Sequence, residues 1–201
     1  MISHKYKFIF IRIPKTGSSS ILSALWTSGL QRYFKNTKKF TKKYTIEGDK
    51  VHHKKAIELY QIDEFNENWD NYFKFAFVRN PWDLIVSWFS FYNTPRRRKQ
   101  GTSVSFDEWI ERKIWQNKLE FRQCYDRIYD NNDKLMIDYV GKLEFINIDF
   151  KRICKKIGIK QTLEHKNRSR HKPYQYYYNE KTKQVIANLF HKDIELFKYK
   201  F

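Results

Sequence analysis

Two stretches of this sequence share one order of events: an apolar strand, an abrupt polar turn, then an apolar helix. Residues 7–13 read Lys-Phe-Ile-Phe-Ile-Arg-Ile. Their density of β-branched and aromatic side chains predicts a buried strand. Pro14 closes it, and Lys15-Thr16-Gly17-Ser18-Ser19-Ser20 follows. Ile21, Leu22, Leu25 and Trp26 then recur at helical spacing. A helix therefore starts within or just after the serines, and Gly29 ends it. The second stretch is residues 72–78, Tyr-Phe-Lys-Phe-Ala-Phe-Val, stopped by Arg79-Asn80-Pro81. Asn80 is a favoured N-cap and Pro81 a favoured first helical residue. Leu84, Ile85, Trp88, Phe89 and Tyr92 continue on one apolar face. Strands this apolar must be covered on both faces, and the helices that follow them are the cover. The pattern predicts an α/β fold with a mainly parallel sheet.

The rest of the chain fits that frame. A short helix carries Ala56, Ile57 and Tyr60, and Ser105 with Glu108 makes a capping-box pattern opening another through Trp109 and Ile110. Residues 134–140 read as a third strand, 147–157 as a helix stopped by Gly158, and 180–197 as one or two closing helices. Residues 31–50, 95–99 and 160–173 are polar and basic and read as surface excursions. With 201 residues the chain is predicted to form a single domain over 1–201, large enough for its own core. Cys124 and Cys154 show no metal-type or redox-type pairing and read as reduced, half-buried core thiols.

Lys plus Arg is 40 against 22 Asp plus Glu, so the formal net charge is 40 − 22 = +18. That charge implies an anionic partner: nucleic acid, an anionic glycan, a membrane surface or a phosphorylated ligand. The longest strongly apolar stretch, residues 84–92, is about half of the ~20 residues that a membrane span needs.

The first turn narrows the choice. A loop between a parallel strand and a helix lies at the carboxyl end of the sheet, where α/β proteins place ligands. Helix N-termini present N–H groups and a partial positive charge to anions. This loop adds a lysine, a glycine and the hydroxyls of Thr16, Ser18, Ser19 and Ser20, a composition suited to phosphate or sulfate. It is not a Walker A sequence, because Lys15 precedes the loop's only glycine. At the second turn Arg79 can grip a phosphate bidentately, and Ser87 lies eight residues on.

Together these segments resemble the sulfotransferases that use 3′-phosphoadenosine-5′-phosphosulfate (PAPS), above all the Golgi-type carbohydrate branch and its small soluble microbial or viral relatives. Residues 13–20 are similar to that family's 5′-phosphosulfate loop, and residues 77–87, with the step from Arg79 to Ser87, to its 3′-phosphate segment. Residues 140–144, 167–170 with Tyr174, and 193–199 are similar to later elements. The resemblance implies a P-loop-like three-layer fold, with a mainly parallel central sheet flanked by helices. It implies PAPS as co-substrate and no metal. Lys15 would meet the leaving phosphate, while Thr16, Gly17, Ser18, Ser19 and Ser20 would hold the phosphosulfate by backbone and hydroxyl donors. Arg79 and Ser87 would take the 3′-phosphate, and Arg170 or Lys172 would close over the nucleotide. His53 or His52 is the base candidate, ahead of Glu58, Glu64 and Glu144. The resemblance implies a hydroxyl acceptor, expected on a carbohydrate, and the basic loops at 35–43 and 96–99 point to an anionic one.

The chain reaches its first strand within about seven residues of Met1, so a soluble, cytoplasmic protein without the anchor of Golgi members is expected. Asn167-Arg168-Ser169 then reads as an accidental glycosylation sequon. Two other readings remain. A P-loop-type nucleotide kinase is disfavoured by the lysine–glycine order. A non-catalytic basic module binding nucleic acid or another polyanion would explain the charge but not the paired strand-end motifs.

Overall fold

The computed structural model describes residues 1–25, 53–94, 104–115, 123–163 and 172–201. Among them run β1 (Ile2–Ser3), β2 (Phe8–Ile11), α1 (Ser18–Leu25), α2 (Ala56–Tyr60), α3 (Asp63–Asn66), β3 (Phe73–Val78), α4 (Pro81–Tyr92), α5 (Phe106–Trp115), α6 (Tyr125–Ile128), β4 (Tyr139–Lys142), α7 (Ile146–Ile157), α8 (Glu180–Leu189) and α9 (His191–Phe197). Single 3-10 turns occur at Leu143–Phe145 and Tyr174–Tyr177. The chain divides into two compact units, Met1–Val78 with Asp126–Asn167, and Arg79–Tyr125 with Arg168–Phe201.

The first unit holds a four-stranded sheet in the order β1-β2-β3-β4. β2, β3 and β4 run parallel, and β1 is antiparallel to β2. The α/β reading with a mainly parallel sheet therefore stands. Alternation along the strands puts Phe8, Phe10, Phe75 and Phe77 on one face, packed with Ile21 and Leu25 of α1 and Phe150, Ile153 and Ile157 of α7. Phe10 stacks on Phe75 at 4.9 Å. Each buried ring contributes about 1.5–3 kcal/mol. Ile9, Ile11, Ala76 and Val78 on the opposite face are equally buried. A sheet covered on both sides is what the unbroken apolar runs require.

The third strand lies farther along than the sequence suggests. Leu135 makes an isolated antiparallel bridge to Tyr129, and Met136 N donates to Ile128 O. The segment joins β3 only where Asp138 N donates to Lys74 O, and pairing then continues through Gly141 to Lys142. Gly141 belongs inside the strand because the Phe77 ring lies across it; an added Cβ would sit 2.6 Å from Phe77 Cε1. β1 carries no periodicity to read, being two residues long.

In the second unit, α4 starts as expected. Asn80 Oδ1 accepts from Trp82 N at 3.1 Å and Asp83 N at 3.4 Å, with Pro81 opening the helix. The Ser105–Glu108 capping box forms in both directions. Phe89 of α4 meets Phe106 and Trp109 of α5 and Tyr177 edge-on. The closing helical run breaks at Phe190 into α8 and α9. Asp193, fully buried on α9, accepts from Cys124 N and Tyr125 N, both at 2.7 Å. The cysteines are deeply buried rather than half-buried, and burial pushes the Cys154 thiol up to about 11. Among the described residues, no helix is long and apolar enough to cross a membrane.

Candidate active site

Parallel pairing sets the carboxyl ends of β2, β3 and β4 on one rim, with Ile11 opposite Ala76 and Val78 opposite Lys142. The Lys15 loop leaves that rim and feeds α1. Its backbone is unusual at two points: Lys15 has φ +66° and Gly17 φ +78°. For a lysine the left-handed region costs about 1–2 kcal/mol, and such strain gathers at functional sites. Thr16, between them, is buried, and its hydroxyl donates to Ile13 O at 2.9 Å. That hydroxyl proton braces the loop from inside.

Gly17 is required twice over. Its φ suits glycine, and an added Cβ would lie 2.8 Å from both Leu143 Cδ1 and Ile146 Cδ1. Gly17 O then accepts from Ser20 N and Ile21 N, which starts α1 at Ser18. Ser18 is buried, Ser20 half-buried and Ser19 exposed. The opening N–H groups of an α-helix lack intrahelical acceptors, so this loop delivers donors and a cation to one turn.

The wall against Gly17 is itself held in place. Asp149, buried on α7, accepts from Tyr139 Oη and Lys142 N, each at 2.8 Å, and from Arg152 Nη1 at 3.1 Å. These bonds fix the turn from β4 to α7, and with it Leu143 and Ile146. Burial raises the Tyr139 hydroxyl pKa first, and its bond to Asp149 adds to this.

In the second unit, Arg79 directly follows β3 and is 6% exposed. Its Nε donates to Asp83 Oδ2 at 2.9 Å, an i,i+4 ion pair at the start of α4. Ser87 lies one further turn along the same face and is 1% exposed.

His53 is exposed, and its carbonyl accepts from Arg127 Nη1. His52 and Arg170 lie outside the described residues, while Lys172 is exposed in the second unit. Glu58 accepts from Lys55 N at the start of α2, and Glu64 pairs with His4 Nε2 at 2.8 Å. Both carboxylates are thus taken up in local structure, and Glu144 is exposed.

Comparison with known proteins decides the family, since the model of the Sulfotransferase family matches residues 1–200. The chain belongs to the sulfotransferase family. This sulfotransferase is also 32% identical to an uncharacterized protein of Archaeoglobus fulgidus over 95 residues, 47% of this chain and 75% of that one. Among solved structures, it is similar to mouse sulfotransferase SULT7A1 complexed with PAP. That match has a TM-score of 0.53 and 13% identity, and covers 96% of this chain and 85% of the mouse chain. At that identity the likeness speaks for the fold.

Sequence reading passed over Asp83, Asp149 and the Leu143–Ile146 wall in this sulfotransferase. The four-residue spacing from Arg79 to Asp83 was a usable signal for the first. The wall had none, because it lies more than 120 residues from Gly17 in sequence.

Proposed function

We propose that this sulfotransferase moves the sulfuryl group of PAPS to an acceptor hydroxyl on a carbohydrate. The observation that carries the reading is the left-handed Lys15–Gly17 turn, closed against Leu143 and Ile146, at the carboxyl end of β2. A Cβ at residue 17 would run into that apolar wall, and the loop's residues fit a phosphosulfate: one cation, helix-start N–H groups and serine hydroxyls.

In the reaction, the hydroxyl oxygen attacks sulfur while the bond from sulfur to the 5′-phosphate oxygen breaks. The electron pair stays on that oxygen, and the products are a sulfate ester and adenosine 3′,5′-bisphosphate (PAP). Charge grows on the leaving phosphate, so a preplaced cation is the largest help a protein gives. Lys15 supplies it, and Gly17, Ser18, Ser19 and Ser20 add hydrogen-bond donors. Arg79 and Ser87 take the 3′-phosphate, with Arg170 or Lys172 closing over the nucleotide. His53 or His52 accepts the hydroxyl proton. The positive charge of the chain suits an acidic glycan.

A thermal-shift series with PAP, ATP and AMP tests the reading. PAP is expected to raise the melting temperature well above the other two, by binding linkage. Equal shifts would remove the roles given to Arg79 and Ser87.

A further inference from the structure

The turn that carries Arg79 is clasped from behind by the last residues of the sequence. Asn80 uses both ends of its amide. Oδ1 caps α4 through Trp82 N and Asp83 N, and Nδ2 donates to Lys200 O at 2.9 Å and to Tyr174 Oη at 3.5 Å. Phe201 anchors that carbonyl. Its ring stands edge-on to Trp82 at 5.4 Å and to Tyr174 and Tyr178 at 5.6 Å each, with Lys183 Nζ 4.7 Å from its centre. Trp82 is tied on both sides: its indole N–H donates to Lys183 O at 3.0 Å, and its carbonyl accepts from Tyr178 Oη at 2.9 Å.

We propose that Phe201 and the Lys200 carbonyl are positioning elements for Arg79, setting the enzyme's preference for a 3′-phosphorylated nucleotide. The linkage is short. The Lys200 carbonyl fixes Asn80 Nδ2 and so aims Oδ1 at the first turn of α4. That turn carries Asp83, whose carboxylate holds Arg79 through Nε. Without the clasp the Asn80 amide turns more freely, the first turn of α4 loosens, and Asp83 no longer fixes the guanidinium. A bidentate grip depends on the orientation of a planar fork, so angular freedom in Arg79 costs affinity where a point charge would lose little. This inference rests on the assignment of the 3′-phosphate to Arg79.

The test is calorimetric titration of the full chain with PAP and with AMP, which differ by the 3′-phosphate alone. Wild-type protein is expected to favour PAP clearly. Phe201→Ala should weaken PAP binding by about 10- to 100-fold, the scale of one lost positioning hydrogen bond to a charged group, and leave AMP within about twofold. Phe201→Tyr, which keeps the ring, should restore the preference. Asn80→Ser serves if Phe201→Ala folds poorly, because it keeps a capping oxygen but removes Nδ2, and it should lower the PAP preference alike. An unchanged PAP-to-AMP ratio in both variants, or an equal loss for both nucleotides, overturns the positioning role while leaving Arg79 in place. A wild-type protein that binds PAP and AMP alike overturns the Arg79 assignment, and this inference with it.

Discussion

Replacing Gly17 by alanine tests the closest approach in the site. Two costs add. Alanine at φ +78° loses about 1–2 kcal/mol in the left-handed region, of which about 0.4–1 kcal/mol returns because the unfolded chain is stiffer. The new methyl also lies 2.8 Å from Leu143 Cδ1 and Ile146 Cδ1. Both atoms end flexible, half-buried side chains, so they can turn aside at about 0.5–1.5 kcal/mol each. The sum is a destabilisation of about 1–5 kcal/mol, read as a drop of the urea midpoint at constant slope. A double-mutant cycle with Leu143→Ala separates the two costs. The Leu143→Ala background should recover the steric share at that side chain, a coupling of about 0.5–1.5 kcal/mol, and none of the backbone strain. Additive effects within about 0.3 kcal/mol would refute the close approach, and a Gly17→Ala protein as stable as wild type would refute the whole account of the turn.

Lys15→Ala is expected to fold with an unchanged melting temperature, since alanine bears the same left-handed strain, and to lose sulfuryl transfer in a radiolabelled PAPS assay. Turnover near wild type would remove Lys15 from the chemistry. Asp193→Ala leaves two buried N–H groups without their acceptor and should cost about 2–5 kcal/mol, seen as a melting point lower by about 4–20 °C. The Cys154 thiol is raised from 9.0 to about 11, so the folded state holds its proton more tightly than the unfolded state does. That contribution is fully present below pH 9 and is lost as pH climbs through about 11. Urea unfolding of Cys154→Ala should show a flatter fall of stability over this window than wild type; identical slopes would contradict the burial argument.

Much of the local structure of the candidate motifs was legible before the fold was known, because its parts are local. Asn80 and Pro81 announce a helix start through groups at most three residues away, and the cap formed as read. The Lys15 loop was recognisable by composition, flanked by an apolar strand and a helical repeat. Composition and periodicity did not show every local partner. The Thr16 hydroxyl donates within the loop, to Ile13 O. Residues 134–138 looked like a strand, but their bonding goes first to Tyr129 and Ile128.

Short-range chemistry in the sequence determined where strands stop, where helices start, and which two turns gather cations and hydroxyls. Tertiary structure alone decided that Leu143 and Ile146 close on Gly17, that Asp149 pins them, and that residues 200–201 clasp Asn80. The physical reason is range. A cap or a turn is satisfied by neighbours within one helical turn, whereas a steric wall or a long-range hydrogen bond exists only once the packed sheet and helices have brought distant residues together.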